Sequence, residues 1–250
     1  MTETQKYAFE ASMYDQLACY YKYRNPQKYV QYYNKHYEAV QKLVQAYESG
    51  RVTPQQSIQQ AKLRVLHAAP DASAVDMYIN GQQILQNISY KQISNYLSIP
   101  QGQYRFDVYK TGTNTSPIYS SLIPVMNNKV YTITAVGDVS KFQLLSFIDN
   151  TFLPYGDAKI RFAHLSPDTS AVDVAFKNGD VLFANVSFKQ FTEFLQVTPG
   201  TADIEVRLAG TKDIILTVPN MKIKPNIMYT IYAVGFASKP PKLETILYTN

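Results

Sequence analysis

The chain is expected to be mainly β, with two tandem antiparallel, immunoglobulin-like β-sandwich domains preceded by an N-terminal α-helical hairpin. Three observations predict this. The later part of the chain matches itself, with RVLHAAPDASAVDMYI from Arg64 answered by RFAHLSPDTSAVDVAF from Arg161. Within each copy, apolar residues alternate with polar ones at the period of a strand. Before the first copy, apolar and aromatic residues recur instead at steps of three and four, which places them on one face of a helix.

In chain order, Tyr7, Ala11, Tyr14, Ala18 and Tyr21 form one helical stripe, and Val30, Tyr33, Tyr37, Val40, Val44 and Tyr47 form another. Asn25-Pro26 separates them, with the proline suited to a first helical turn, and Gly50 is placed to end the second helix. Residues 1–50 thus read as a tyrosine-rich helical hairpin. Ten of the 21 tyrosines fall there. Two readings account for the excess: packing within the hairpin or against a sandwich, with hydroxyls reaching water, or a self-association surface. Residues 51–61, with Thr53-Pro54 and several glutamines, read as a linker.

The repeats span 62–150 and 158–250. Their offset is 97 residues at Arg64 and Arg161. It becomes 98 from the Asn80-Gly81 and Asn178-Gly179 pairs onward, through SYKQ and SFKQ, Gly102 and Gly200, and VYTITAVG and MYTIYAVG. Val75, Met77 and Ile79 alternate with polar neighbours, as do Val172 and Val174, Phe106 and Val108, and Ile204 and Val206. The Asn-Gly pairs signal hairpins, because two-residue hairpin turns need positive φ. The segments 130–136 and 228–234 are apolar or threonine on both faces, as a central strand requires. Seven or eight short strands in about 90 residues suit a sandwich. A mild protease is expected to cut at 51–61 and 150–157, leaving two stable fragments of similar size.

The His-x-x-Pro-Asp-x-x-x-Val-Asp opening, the Ser-[Tyr/Phe]-x-Gln middle and the Tyr-Thr-Ile-x-Ala-Val-Gly late strand resemble the bacterial domain-of-unknown-function family 4397, over residues 63–149 and 160–249. The resemblance implies tandem β-sandwiches and is nearly silent on function. Many members look like exported surface proteins.

Composition narrows the function. At 46% hydrophobic and 17% charged residues the chain has the make-up of a globular protein. The net charge of +5 is scattered, without a basic run, so no nucleic-acid partner is indicated. Cys19 is the single cysteine, which excludes an intrachain disulfide. The N-terminus lacks the apolar stretch of a signal peptide, and no apolar run is long enough to span a membrane. The expectation is therefore synthesis in the cytoplasm without a signal peptide and deposition on a spore or other surface layer.

One constellation invites a chemical reading: His67, Asp71 and Asp76, repeated as His164, Asp168 and Asp173. An imidazole with two carboxylates could hold a divalent metal. However, strand alternation turns both histidines inward, and Asp71 and Asp168 follow proline in a turn, where aspartate bonds local amides. A structural role is expected, with no metal and no cofactor. No Gly-x-Ser-x-Gly elbow and no phosphate-cradling glycine loop occurs. The expected function is a non-enzymatic structural or assembly protein, for example of a bacterial spore coat. It would attach to itself or to another structural protein through Tyr33, Tyr37, Val40, Val44 and Tyr47. The alternative is a binding module whose sandwich loops hold a carbohydrate, peptide or protein.

Overall fold

The computed structural model describes residues 2–49, 60–149 and 152–249. Positions 51–59 of the expected linker and the expected helix-ending Gly50 lie outside these residues. The chain divides into an N-terminal unit, Met1–Ile58, and a larger unit, Gln59–Asn250.

The N-terminal unit holds α1 (Glu3–Tyr21) and α2 (Pro26–Ser49). A capping box starts α1: the Gln5 amide donates to Thr2 Oγ1 at 3.2 Å, and the Thr2 amide donates to Gln5 Oε1 at 3.0 Å. Asn25 caps α2, its side chain accepting from the Lys28 amide at 3.1 Å, and Pro26 takes the first helical position. Ala11, Ala18 and Ala39 are buried between the helices. Their small side chains leave room for rings, and Tyr32 of α2 stacks on Tyr14 and Tyr21 of α1.

Among the described residues, the larger unit contains sixteen strands, eight from each copy. In the first copy β1 (Ala61–His67), β4 (Leu97–Ile99), β7 (Val130–Val136) and β8 (Gln143–Asp149) form one sheet in the order β4-β1-β7-β8. Facing it, β2 (Val75–Ile79), β3 (Gln82–Ile88), β5 (Gly102–Lys110) and β6 (Tyr119–Val125) are ordered β3-β2-β5-β6. The second copy repeats this plan. Its β9 (Ala158–His164), β12 (Leu195–Val197), β15 (Ile227–Val234) and β16 (Glu244–Thr249) stand as β12-β9-β15-β16. Its β10 (Val172–Phe176), β11 (Val181–Val186), β13 (Gly200–Leu208) and β14 (Ile214–Ile223) stand as β11-β10-β13-β14. Ala61, counted with the linker in the sequence, is the first residue of β1.

Most pairings are antiparallel, as expected, but β1 with β7 and β9 with β15 are parallel. The chain crosses to the other sheet between these partners, so no hairpin turn obliges them to run oppositely. The two Asn-Gly pairs also behave differently. Asn80 and Gly81, both at positive φ, form the two-residue link between β2 and β3. The residue added in the second copy widens that link to 177–180, closed by the Gly179 amide on the Phe176 carbonyl at 3.0 Å.

The sandwiches share a third core. Leu63, Val65, Phe106 and Ile133 fill the first sandwich, and Ile160, Phe162, Ile204 and Ile231 fill the second. Between the copies, Leu66 and Val136 pack with Ala163, Leu165, Tyr232 and Val234. The sheet carrying β1 and β7 is therefore buried on both faces, as is the sheet carrying β9 and β15. This explains why β7 and β15 are apolar or threonine on both faces.

Charge crosses the same interface. Asp149 of β8 is fully buried and accepts from the Arg161 guanidinium of the second copy. It also accepts from Thr132 Oγ1 at 2.7 Å and lies 3.9 Å from the Arg64 guanidinium. The two arginines are each tied by Nε to a threonine, Arg64 to Thr132 at 3.1 Å and Arg161 to Thr230 at 3.0 Å. They lie over the rings of Tyr96 and Phe194 at 4.8 Å and 4.6 Å. Burial pushes the Tyr96 phenol up to about 12, so it stays protonated beside Asp149.

Two outcomes follow from the shared core. Phe152 and Tyr155 are 71% and 95% exposed, so a protease should cut between them. The two fragments of similar size should stay associated, because the third core holds the cut halves together. The nicked chain should elute from a sizing column as one body and separate only in denaturant. Asp149→Asn leaves two buried guanidinium groups without their carboxylate and should cost about 3–5 kcal/mol, measured by urea unfolding.

Candidate functional site

The duplicated motif lies at matched places in the two sandwiches. β1 and β9 each end on their histidine, and alternation turns both rings inward: His67 and His164 are buried. Each Nε2 meets a loop carbonyl, that of Ser73 at 3.1 Å and that of Ser170 at 3.0 Å, while Nδ1 has no hydrogen-bond partner among the described residues. With only a carbonyl to meet, Nε2 carries the proton and donates, so the ring is the neutral Nε2–H form. Desolvation holds both imidazoles below the usual 6.5, although the carbonyl bonds act in the opposite direction.

The S-x-K-Q segment clasps the main chain of each histidine. Lys91 and Lys189 adopt positive φ. Their amides donate to the His67 and His164 carbonyls at 2.7 Å and 2.8 Å, while the histidine amides donate to Gln92 and Gln190. The glutamine side chains close the turn on the amides of Ser89 and Ser187. Two of the motif's separated segments are thus one local structure.

The aspartates do not converge on the histidines. Asp76 accepts from the Asn87 amide at 2.7 Å and Thr111 Oγ1 at 3.0 Å, and Asp173 accepts from the Asn185 and Gly210 amides. Asn87 and Asn185 stand at positive φ beside shifts in strand register, so each carboxylate fastens a β-bulge. Asp71 accepts from the Val139 amide at 3.0 Å and from Lys239 of the other copy at 3.2 Å. Asp168 accepts from the Ala237 and Ser238 amides and the Ser238 hydroxyl. Burial acts to raise its pKa, but the Ser238 hydroxyl and these amides outweigh it and hold the carboxyl below its usual value. Among the described residues, no three His, Cys, Asp or Glu side chains meet in a metal-holding group.

A family profile described as a domain of unknown function, DUF4397, matches residues 61–175 and 167–250. The chain belongs to the DUF4397 family. A comparison with curated proteins finds no match. Among solved structures, the chain is similar to the Bacillus anthracis TIE protein at 10% identity and a TM-score of 0.25, covering 75% of this chain and 34% of that one. The match thus spans about a third of the TIE chain. A family CBM26 module from Eubacterium rectale Amy13K, solved with maltoheptaose, aligns at 9% identity and a TM-score of 0.24, over 76% and 97% of the two chains. The tip fimbrial protein Mfa3 of Porphyromonas gingivalis aligns at 10% identity and 0.21, over 76% and 99%. Overlap this slight carries no activity across.

Sequence reasoning expects Asp71 and Asp168 to bond local amides; they bond amides instead in the loops after the late central strands, Val139 and Ala237 with Ser238, far away in sequence. It missed the bulge-fastening role of Asp76 and Asp173. The positive-φ asparagines, Asn87 and Asn185, were the available signal, since asparagine tolerates that conformation.

The other feature named from sequence lies on α2. Val30, Tyr33, Tyr37 and Val44 are about half exposed, and Val40 is partly buried. The side chain of Tyr47 lies outside the described residues. The α2 face turned to α1 is built instead from Tyr32, His36 and Ala39, with His36 Nδ1 2.9 Å from the Ala11 carbonyl.

The buried histidines predict a pH dependence with a definite sign. Their folded pKa values lie below the unfolded value, so the unfolded chain binds more protons as pH falls. Stability should be full above about pH 7 and decline as pH falls through about 6.5, before most carboxylates titrate. Urea midpoints at about pH 7.5 and 5.5 should differ, and His67→Gln with His164→Gln should flatten that difference while lowering the midpoint at the higher pH.

Proposed function

We propose that this DUF4397 protein is a non-enzymatic structural or assembly protein that associates with further copies of itself through α2. The observation that carries the reading is the exposed stripe Val30, Tyr33, Tyr37 and Val44, extended in sequence by Val40 and Tyr47. Its spacing of three and four residues suits helix-to-helix packing, and it is distinct from the stripe that packs on α1.

A second copy is the occupant that the flanking chemistry favours. Along the solvent edge of the stripe stand Gln27, Asn34 and Gln41, all exposed and uncharged. Two identical stripes can therefore meet without like charges facing each other. In this reading the stacked sandwiches form a rigid body that the helices join to others, within a surface layer such as a bacterial spore coat. The chain is made in the cytoplasm and laid onto that layer. No helix among the described residues is long and apolar enough to cross a membrane.

The test is sedimentation of the full chain across the micromolar range, beside Tyr33→Ser/Tyr37→Ser/Val44→Ser. Each exposed anchor lost from an interface centre costs about 2 kcal/mol, so the triple variant should dissociate at least about 100-fold more readily. Circular dichroism should show unchanged helix, because these side chains point away from α1. A monomeric unmodified chain would remove the basis of the proposal.

A further inference from the structure

The duplication provides an internal comparison, since two copies of one scaffold differ where only one has a use for a surface. They differ at the flank of the first sandwich. A cleft of about 460 Å³ opens there between β3 and β4, the edge strands of two facing sheets. Buried Leu63, Ile79 and Ile99 form its floor, and exposed Gln82, Gln83 and Ser98 its rim.

Tyr104 forms one wall and is held in place. Its hydroxyl donates to the Pro100 carbonyl at 3.0 Å, and its ring lies so close to Gly102 that a Cβ there would sit 3.2 Å from Tyr104 Cε2. The glycine thus admits a fixed aromatic surface. In the second copy Gly200 holds the matching position, but nothing lies within 4 Å of a Cβ there, because Ala202 replaces the tyrosine. Asp180 and Val181 stand there in place of Gln82 and Gln83.

The lining selects a ligand class by elimination. No acidic, basic or histidine side chain lines the cleft, so a phosphate, carboxylate or ammonium ligand would lose its hydration without a counter-charge. A wholly apolar ligand would strip water from the two amides and the hydroxyl of the rim and leave them unpaired. Strand addition by a peptide is opposed at both edges, since β4 has three residues and β3 is broken by register shifts. What satisfies floor, wall and rim together is a neutral molecule with an apolar C–H face and a periphery of hydroxyls.

We propose that this cleft of the first sandwich is a binding site for a neutral saccharide. The sugar's C–H face rests on the Tyr104 ring and the aliphatic floor, and its hydroxyls exchange hydrogen bonds with Gln82, Gln83 and Ser98. The site is independent of helix-mediated assembly, and the first copy alone carries it.

The test titrates the isotopically labelled full chain with glucose, N-acetylglucosamine, maltohexaose, cellohexaose and chitohexaose, following backbone amides by NMR. Amides of 82–84 and 97–99 should shift and saturate with at least one of these sugars, while the matching amides of the second copy stay still. A response to a hexasaccharide but not to its monosaccharide identifies a polymer as the source, and a response to the monosaccharide identifies a free sugar; both support the site. Tyr104→Ala should weaken binding at least about tenfold, with Tyr104→Phe close to the unmodified chain. Should Tyr104→Ala fail to fold, Ser98→Arg on the exposed rim should abolish the shifts by filling the cleft. The proposal is overturned if no sugar moves these amides at about 10 mM, the weak end of specific affinity, or if a folded Tyr104→Ala or Ser98→Arg chain binds unchanged.

Discussion

The buried triad of Arg64, Asp149 and Arg161 is the interaction on which the arrangement of the two sandwiches depends. A carboxylate with no solvent exposure is tolerable only where charge and hydrogen bonds surround it, and here they come from both copies. One carboxylate therefore serves two guanidinium groups. The aromatic faces of Tyr96 and Phe194 help to accommodate the remaining positive charge. Separating the copies would expose apolar surface and leave these charges without their buried partners, so the two sandwiches behave as one body.

That constraint explains which parts of the duplicated pattern stay alike. The histidine strand, the S-x-K-Q turn and the late central strand all lie in or against the two sheets that meet at the interface. Each must be correct on both faces. The outer sheets carry no such double duty, and two differences between the copies lie there. The Asn-Gly link gains a residue there, and Tyr104 gives way to Ala202. Tyr104 and Ala202 both lie at the partly exposed margin of their sandwich cores, where a changed side chain meets fewer neighbours than at the interface.

The surfaces proposed for assembly and for saccharide binding lie on separate units of the chain. The α2 stripe is apolar and uncharged at its edge, suited to a like surface. The cleft is smaller and has a polar rim, suited to a hydrated ligand that must give up water at a few points only. The β-sheets favour the cleft, because a surface they hold in place needs little ordering when it binds.

Much of the architecture was legible in the residues themselves. Period-two alternation located Val75–Ile79 and its copy Val172–Phe176, three- and four-residue spacing located both helices, and Asn25-Pro26 marked the break between them. Alternation also turned His67 and His164 inward, because side-chain direction along a strand is a local property of the backbone. Tertiary structure alone decided the rest. The two-sided apolar character of 130–136 told that the strand was covered, but not that the second sandwich covered it. Asp149, Arg64 and Arg161 are far apart in sequence, and no spacing rule joins them. The parallel β1–β7 pairing depends on how the chain crosses between sheets, and the cleft depends on where two unlinked edge strands come to lie. Local periodicity determines what each segment becomes; which faces meet is settled only when distant segments bury one another's apolar surface and charge.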